Sequence, residues 1–275
     1  ALRRAGDDEP AARRGGVKLT FLGTGTSFGV PQIGCGCEVC RSSDPRDKRT
    51  RSGALVETDT GQRILIDTPP ELRLQLIANQ IDRVDAILFT HEHADHIHGI
   101  DDVRALSVRN RSALRMYGPA ETVHTLAQRF AYIFDERMRP LPGTTKPKGE
   151  LTTLEAGVPV DIAGETVLPI AVPHGHTMVF GYRIGALGYV TDAKLLPPTA
   201  IEALRGVKVL VLNALFWKEH PTHMSVPEAI EMARVVGAER TYLTHLTHDN
   251  LHAKLEAALP RGLMPAYDGL TVSVG

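Results

Sequence analysis

The chain is short of the features that mark several protein classes. Cysteine is scarce, 3 residues in 275, and an odd number cannot close into disulfides within one chain. Aromatic residues make up only 5%, too few for an extended base-stacking surface. Neither sign of charge dominates: 31 Lys and Arg stand against 32 Asp and Glu, for a formal net charge of -1. The basic excess of a general nucleic-acid or anionic-membrane binder is therefore missing, so no large nucleic acid and no membrane is expected as a partner. No run approaches the roughly 18 apolar residues of a membrane span. The opening stretch ALRRAGDDEPAARRGG has no apolar core of a signal peptide and no periodicity. It is expected to be a disordered leader over 1–16, before a single folded domain over 17–275. What the chain does have is histidine, 12 residues, on a background that is 43% hydrophobic. A soluble, cytoplasmic α/β protein with a histidine surplus is the expectation.

The order of patterns along the chain supports the α/β reading. An alternating strand at 17–22 runs into Gly23-Thr24-Gly25, read as a tight turn because the G-x-G-x-x-G spacing of a dinucleotide site is absent. Strands are expected at 52–58, 62–67, 84–90, 115–117, 166–172, 179–184, 187–191, 207–213, 240–244 and 270–274. Helical spacing is found at 71–79, 102–107, 121–134, 226–236 and 251–259, with a long loop around 139–148. Strands cluster in both halves with helices between them, without repeat or linker, which implies two sheets flanked by helices.

The densest chemical signal is His91-Glu92-His93-Ala94-Asp95-His96, directly after the apolar strand ending at Thr90. Three imidazoles and a carboxylate in six residues suit Zn or Mn. His91 and His93 have the spacing to share one ion while Asp95 and His96 turn to a second. Two coordination shells need more ligands. His174, Asp192 and His245 each follow an apolar strand and are the candidates.

H-x-H-x-D-H followed by His, Asp and His in that order resembles the metallo-β-lactamase fold superfamily of hydrolases. The resemblance implies an αββα sandwich of two mixed β-sheets flanked by helices, with a dinuclear site at one edge. It implies that His91, His93 and His174 hold one metal and that Asp95, His96 and His245 hold the other, with Asp192 bridging. Asp67, at the end of Ile64-Leu65-Ile66, stands where such enzymes carry an acidic residue behind the ligands.

Cys35-Gly36-Cys37-Glu38-Val39-Cys40 places all three cysteines in six residues. Three thiolates need a fourth ligand for a tetrahedral structural zinc, and histidine is the commonest addition. His248 is the best candidate, with His252 and His176 as alternatives. The cluster is similar to that of the PhnP-type phosphodiesterase branch, as are Leu65-Ile66-Asp67-Thr68, His98-Gly99-Ile100-Asp101-Asp102-Val103-Arg104 and Pro221-Thr222-His223-Met224-Ser225. This likeness makes His223 a general acid or a donor to a phosphate oxygen. Arg104 and Arg109 are candidates for steering an anionic substrate.

The expected function is a metal-dependent hydrolase, a dinuclear phosphodiesterase for small cyclic or activated phosphodiesters working through a metal-bridging hydroxide. Its cofactors would be two divalent catalytic metals, Zn or Mn, and one structural Zn. Alternatives are carbonyl hydrolysis of the lactonase, thioesterase or β-lactamase kind, a tRNA 3′-processing-type nuclease, and a metal-binding protein without turnover. The sequence is nearly silent on oligomeric state, and the resemblance allows a homodimer.

Overall fold

A computed structural model describes residues 16–275, so all of the expected leader except Gly16 lies outside the described residues. Six strands come first: β1 (Val17–Gly23), β2 (Gly53–Glu57), β3 (Arg63–Ile66), β4 (Ala86–Leu88), β5 (Leu114–Gly118) and β6 (Gly149–Thr153). A second group follows, with β7 (Val160–Ile162), β8 (Glu165–His174), β9 (Thr177–Ile184), β10 (Leu187–Val190), β11 (Val209–Asn213), β12 (Arg240–Thr244) and β13 (Leu263–Pro265). The last strand, β14 (Thr271–Val274), returns to the first sheet beside β1.

The two seven-stranded sheets run β14-β1-β2-β3-β4-β5-β6 and β13-β12-β11-β10-β9-β8-β7. Each is mixed. The first is antiparallel from β14 to β3 and parallel from β3 to β6. The second is antiparallel from β7 to β10 and parallel from β10 to β13.

Strand periodicity explains how these sheets stack. Ile64, Ile66, Val209 and Val211 face a central core between the sheets, together with Phe21, Tyr182 and Tyr189. Their neighbours Leu210 and Leu212 point outward, under the helices Pro198–Ala203 and Val226–Val236. Leu65 and Ile87 do the same under the helices at 72–78, 103–110 and 120–129. Strands buried on both faces need apolar residues at every position, which is why they read as short continuous runs. The result is the αββα sandwich expected from the sequence.

Several elements differ from the sequence reading. The single helix expected over 121–134 is two, Ala120–Arg129 and Ala131–Phe134, broken where Phe130 leaves helical geometry at φ -119° and ψ 37°. The edge strands β6 and β7 and the short β13 were not expected from the sequence, nor was the helix Pro198–Ala203. Gly23 and Gly25 do not form a tight turn. Both lie in extended backbone, and a Cβ on Gly23 would collide with the carbonyl of Arg51, while one on Gly25 would sit 2.7 Å from the Arg49 carbonyl. They are glycines because two chain segments pass too close for a side chain. Among the described residues no helix is long and apolar enough to cross a membrane.

Candidate metal centre

The carboxyl ends of β3, β4, β8, β10 and β12 meet at one edge of the sandwich, where open α/β sheets present their ligand sites. Asp67 follows β3, His91 lies just past β4, His174 closes β8, Asp192 follows β10 and His245 follows β12. Asp67, Asp192 and His245 each have a positive φ, 64°, 57° and 57°. Such backbone is uncommon for any residue but glycine and clusters at functional positions.

The H-x-H-x-D-H segment is a loop entering a one-turn helix, Ala94–Ile97, with His93 at its N-cap. His91 and His96 are buried, Asp95 is half-buried and His93 is exposed. Ligand atoms of His91, His93 and His174 lie within 4.8 Å of one another. The same holds for Asp95, His96 and His245, and Asp192 lies within that distance of His91 and His96. The two nests share Asp192, whose Oδ2 is 3.4 Å from His96 Nε2 and whose Oδ1 is 3.2 Å from His245 Nε2.

The outer nitrogens of four histidines are fixed by partners that can only accept. His96 Nδ1 donates to Asp67 Oδ2 at 2.7 Å, and His174 Nδ1 donates to the Thr222 carbonyl at 3.1 Å. Ser52 Oγ gives its own proton to the Gly25 carbonyl at 3.0 Å, so it accepts from His245 Nδ1 at 3.0 Å. Thr90 Oγ1 gives its proton to Asp67 Oδ2 at 2.8 Å, so it accepts from His91 Nδ1 at 3.0 Å. Each of these rings therefore carries its hydrogen outward and presents Nε2 inward, the arrangement that orients imidazoles toward a metal. Burial pushes the pKa of His91 and His174 down and that of His245 down to about 4, which keeps these rings neutral.

His96 is the exception. Burial alone would lower its pKa, but Asp192, Asp95 and Asp67 together hold it well above the ordinary value. Its Nε2 is buried without a hydrogen-bond partner. A buried polar atom with no partner, set among two carboxylates and the imidazoles of His91 and His245, fits a divalent cation. The residues present therefore suit a pair of metals.

His223 lies on the same locus. Its Nε2 donates to Asp192 Oδ1 at 2.8 Å, and its ring stacks on that of His245 with 5.1 Å between centroids. Thr222 Oγ1 is 2.8 Å from its Nδ1. His220 adds a contact at 3.4 Å from the same nitrogen. The capping role is taken by Ser225, which forms a reciprocal capping box with Glu228, so His223 is free to face Asp192.

A second cluster forms from Cys35, Cys37, Cys40 and His248, whose ligand atoms also lie within 4.8 Å of one another. His248 Nδ1 is 3.2 Å from Cys35 Sγ and 3.6 Å from Cys40 Sγ. Three thiols and one imidazole converging in this way have the chemistry of a tetrahedral zinc site. His176 lies in the exposed β8–β9 turn and His252 packs its ring against Tyr267, so neither joins the cluster.

The two arginines singled out from the sequence are both held in ion pairs. Arg104 binds Asp101 at 2.9 Å and the Thr145 carbonyl at 2.6 Å. Arg109 pairs with Asp82 at 3.0 Å, where β3 and β4 begin, at the end of the sheet opposite the cluster. Sequence reasoning missed Thr90, Ser52 and the Thr222 carbonyl. Thr90 carries a faint signal, a hydroxyl immediately before the first histidine; Ser52 carries none.

Residues 62–246 match the family model described as Beta-lactamase superfamily domain. A protein named octanoyltransferase from Porphyromonas gingivalis (strain ATCC BAA-308 / W83) is 39% identical over 256 residues, 92% of this chain and 51% of that protein. A ribonuclease Z from Bradyrhizobium sp. (strain ORS 278) is 32% identical over 170 residues, 60% of this chain and 49% of that one. The chain thus spans about half the length of the curated relatives it matches. The crystal structure of a new diphosphatase from the PhnP family superposes with a TM-score of 0.85 at 39% identity, covering 93% of this chain and 97% of that one.

Proposed function

The chain belongs to the β-lactamase superfamily of metallo-hydrolases, and from that premise we propose that it is a dinuclear phosphodiesterase for small phosphoryl substrates. The observation that carries this reading is the shared position of Asp192 between two inward-facing nests of imidazoles, with His223 Nε2 2.8 Å from the same carboxylate. The likeness to a diphosphatase at 39% identity supports phosphoryl rather than carbonyl chemistry. It also adds diphosphate-linked compounds to the cyclic or activated phosphodiesters expected from the sequence.

In this reading His91, His93 and His174 would hold one ion, Asp95, His96 and His245 would hold the other, and Asp192 would serve both. Zinc or manganese bound there would supply Lewis acidity toward phosphoryl oxygens and acidify water. The chain's own residues do the rest. Asp67 locks the orientation of His96. Ser52, Thr90 and the Thr222 carbonyl lock three more rings. His223 holds a proton at Nε2 beside the reacting centre and gives it to the departing oxygen. Cys35, Cys37, Cys40 and His248 bind a structural zinc.

The test is a substrate panel with metal-loaded protein: bis-p-nitrophenyl phosphate, a diphosphate diester, a lactone, nitrocefin and a tRNA precursor. Turnover is expected on the first two, lost on chelation and restored by Zn or Mn. A preference for the lactone or nitrocefin by tenfold or more would replace phosphoryl with carbonyl chemistry. Cleavage of the tRNA precursor alone would move the protein to the ribonuclease Z reading.

A further inference from the structure

The thiols of the Cys35–Cys40 loop and the imidazole of His248 come from opposite ends of the chain, and one buried ion pair joins the segments that carry them. Arg49 has a side chain with 0% exposure, and Asp47, its partner at 3.1 Å, has 1%. Arg49 Nη1 donates to the Thr247 carbonyl at 3.1 Å and Nη2 donates to the Asn250 carbonyl at 2.8 Å. These two carbonyls bracket His248. On its other side, the Arg49 backbone exchanges two hydrogen bonds with Val30, at 2.7 and 2.8 Å. Val30 packs against Val39 and Cys40. Lys48 Nζ donates to the Cys40 carbonyl at 3.3 Å, and Asp47 Oδ1 accepts the His252 amide at 2.8 Å. Residues 47–49 therefore grip the thiol loop through the Arg49 backbone and the Lys48 side chain, and the His248 loop through the Asp47 and Arg49 side chains.

A buried ion pair is a poor way to gain stability, because desolvation of both charges offsets their attraction. It is a good way to fix geometry. The planar guanidinium presents donors at a set separation, which an ammonium cannot reproduce. We infer that the Asp47–Arg49 pair is a positioning device that sets His248 opposite the three thiols before a metal arrives. The inference rests on the zinc reading of that cluster given above.

Cobalt(II) titration isolates this site, because only the cysteines give a thiolate-to-cobalt charge-transfer band. Arg49→Lys is expected to weaken cobalt binding in that band by about 10–100-fold, the usual effect of removing a partner behind a metal ligand. Wild-type affinity in a folded Arg49→Lys protein would overturn the clamp. Cys37→Ser separates the two ideas: if the wild type gives no band, or if Cys37→Ser leaves the band's intensity and the cobalt affinity unchanged, the zinc reading itself falls and the clamp falls with it. A measurement on wild type alone guards against a variant that fails to fold. In zinc-stripped protein the 246–250 segment is expected to keep its protection from hydrogen exchange. Exchange as fast as in an exposed loop would show that the metal, not Arg49, organises it.

Discussion

Asp67 orients one of the candidate metal-binding imidazoles, His96. It is fully buried, and its two oxygens accept from Thr90 N, Thr90 Oγ1 and His96 Nδ1 within 2.8 Å. Asp67→Ala would leave these donors unpaired and free the His96 ring to turn. We expect metal affinity or turnover to fall about 10–100-fold, read by chelator competition and kcat. Protonation offers a second check at this level. In the metal-free protein burial raises the Cys40 thiol to about 11. His96 stays protonated above its ordinary range because Asp192, Asp95 and Asp67 outweigh its burial. Both groups must lose a proton to bind zinc, so loading should release protons and apparent affinity should rise with pH. Calorimetry in buffers of different ionisation heat reads this release, and buffer-independent heats would refute it. The candidate ligands stood out in the sequence because they crowd into His91–His96 or sit at or just past the ends of apolar strands, as His174, Asp192 and His245 do. Ser52 and Arg49 were not, because their partners lie about two hundred positions away in the chain.

The elements place the site through their ends, and one of the tight junctions is where β1 leaves the first sheet. Gly23 has no room for a methyl group against the Arg51 carbonyl, and Gly25 lies beside Arg49 and pairs with Leu246, next to His245. Gly23→Ala should cost about 1–3 kcal/mol, since backbone must move to accept it, as measured by urea unfolding. A wild-type midpoint would mean that the two segments are not held together this closely. The loop of Thr247 and Asn250 also reaches Leu215, whose amide donates to Met224 beside His223. Strands with apolar residues on both faces, such as β3 and β11, stood out in the sequence. The edge strand β6, Gly-Glu-Leu-Thr-Thr with mostly exposed positions, offered no such run. The helix break at Phe130 was equally silent, because apolar spacing continues through it.

The two sheets of the whole molecule contribute complementary halves of the centre. His91, His93, Asp95 and His96 come from the loop after β4 in the first sheet, and His174, Asp192 and His245 from strand ends of the second. Metals bound there would tie the sheets together, and their charge, absent from the residue count, lets a chain of net charge -1 take an anionic substrate. Binding only to the folded chain should raise its thermal midpoint with metal concentration. In the proposed reading two metals would share Asp192 and a third would sit at the thiols. Metal content per chain of zinc-saturated, desalted protein tests it most directly. About three ions are predicted for wild type, and no more than about two for Asp192→Asn or for Cys37→Ser. Two ions or fewer in wild type, or three retained by Asp192→Asn, would contradict the account.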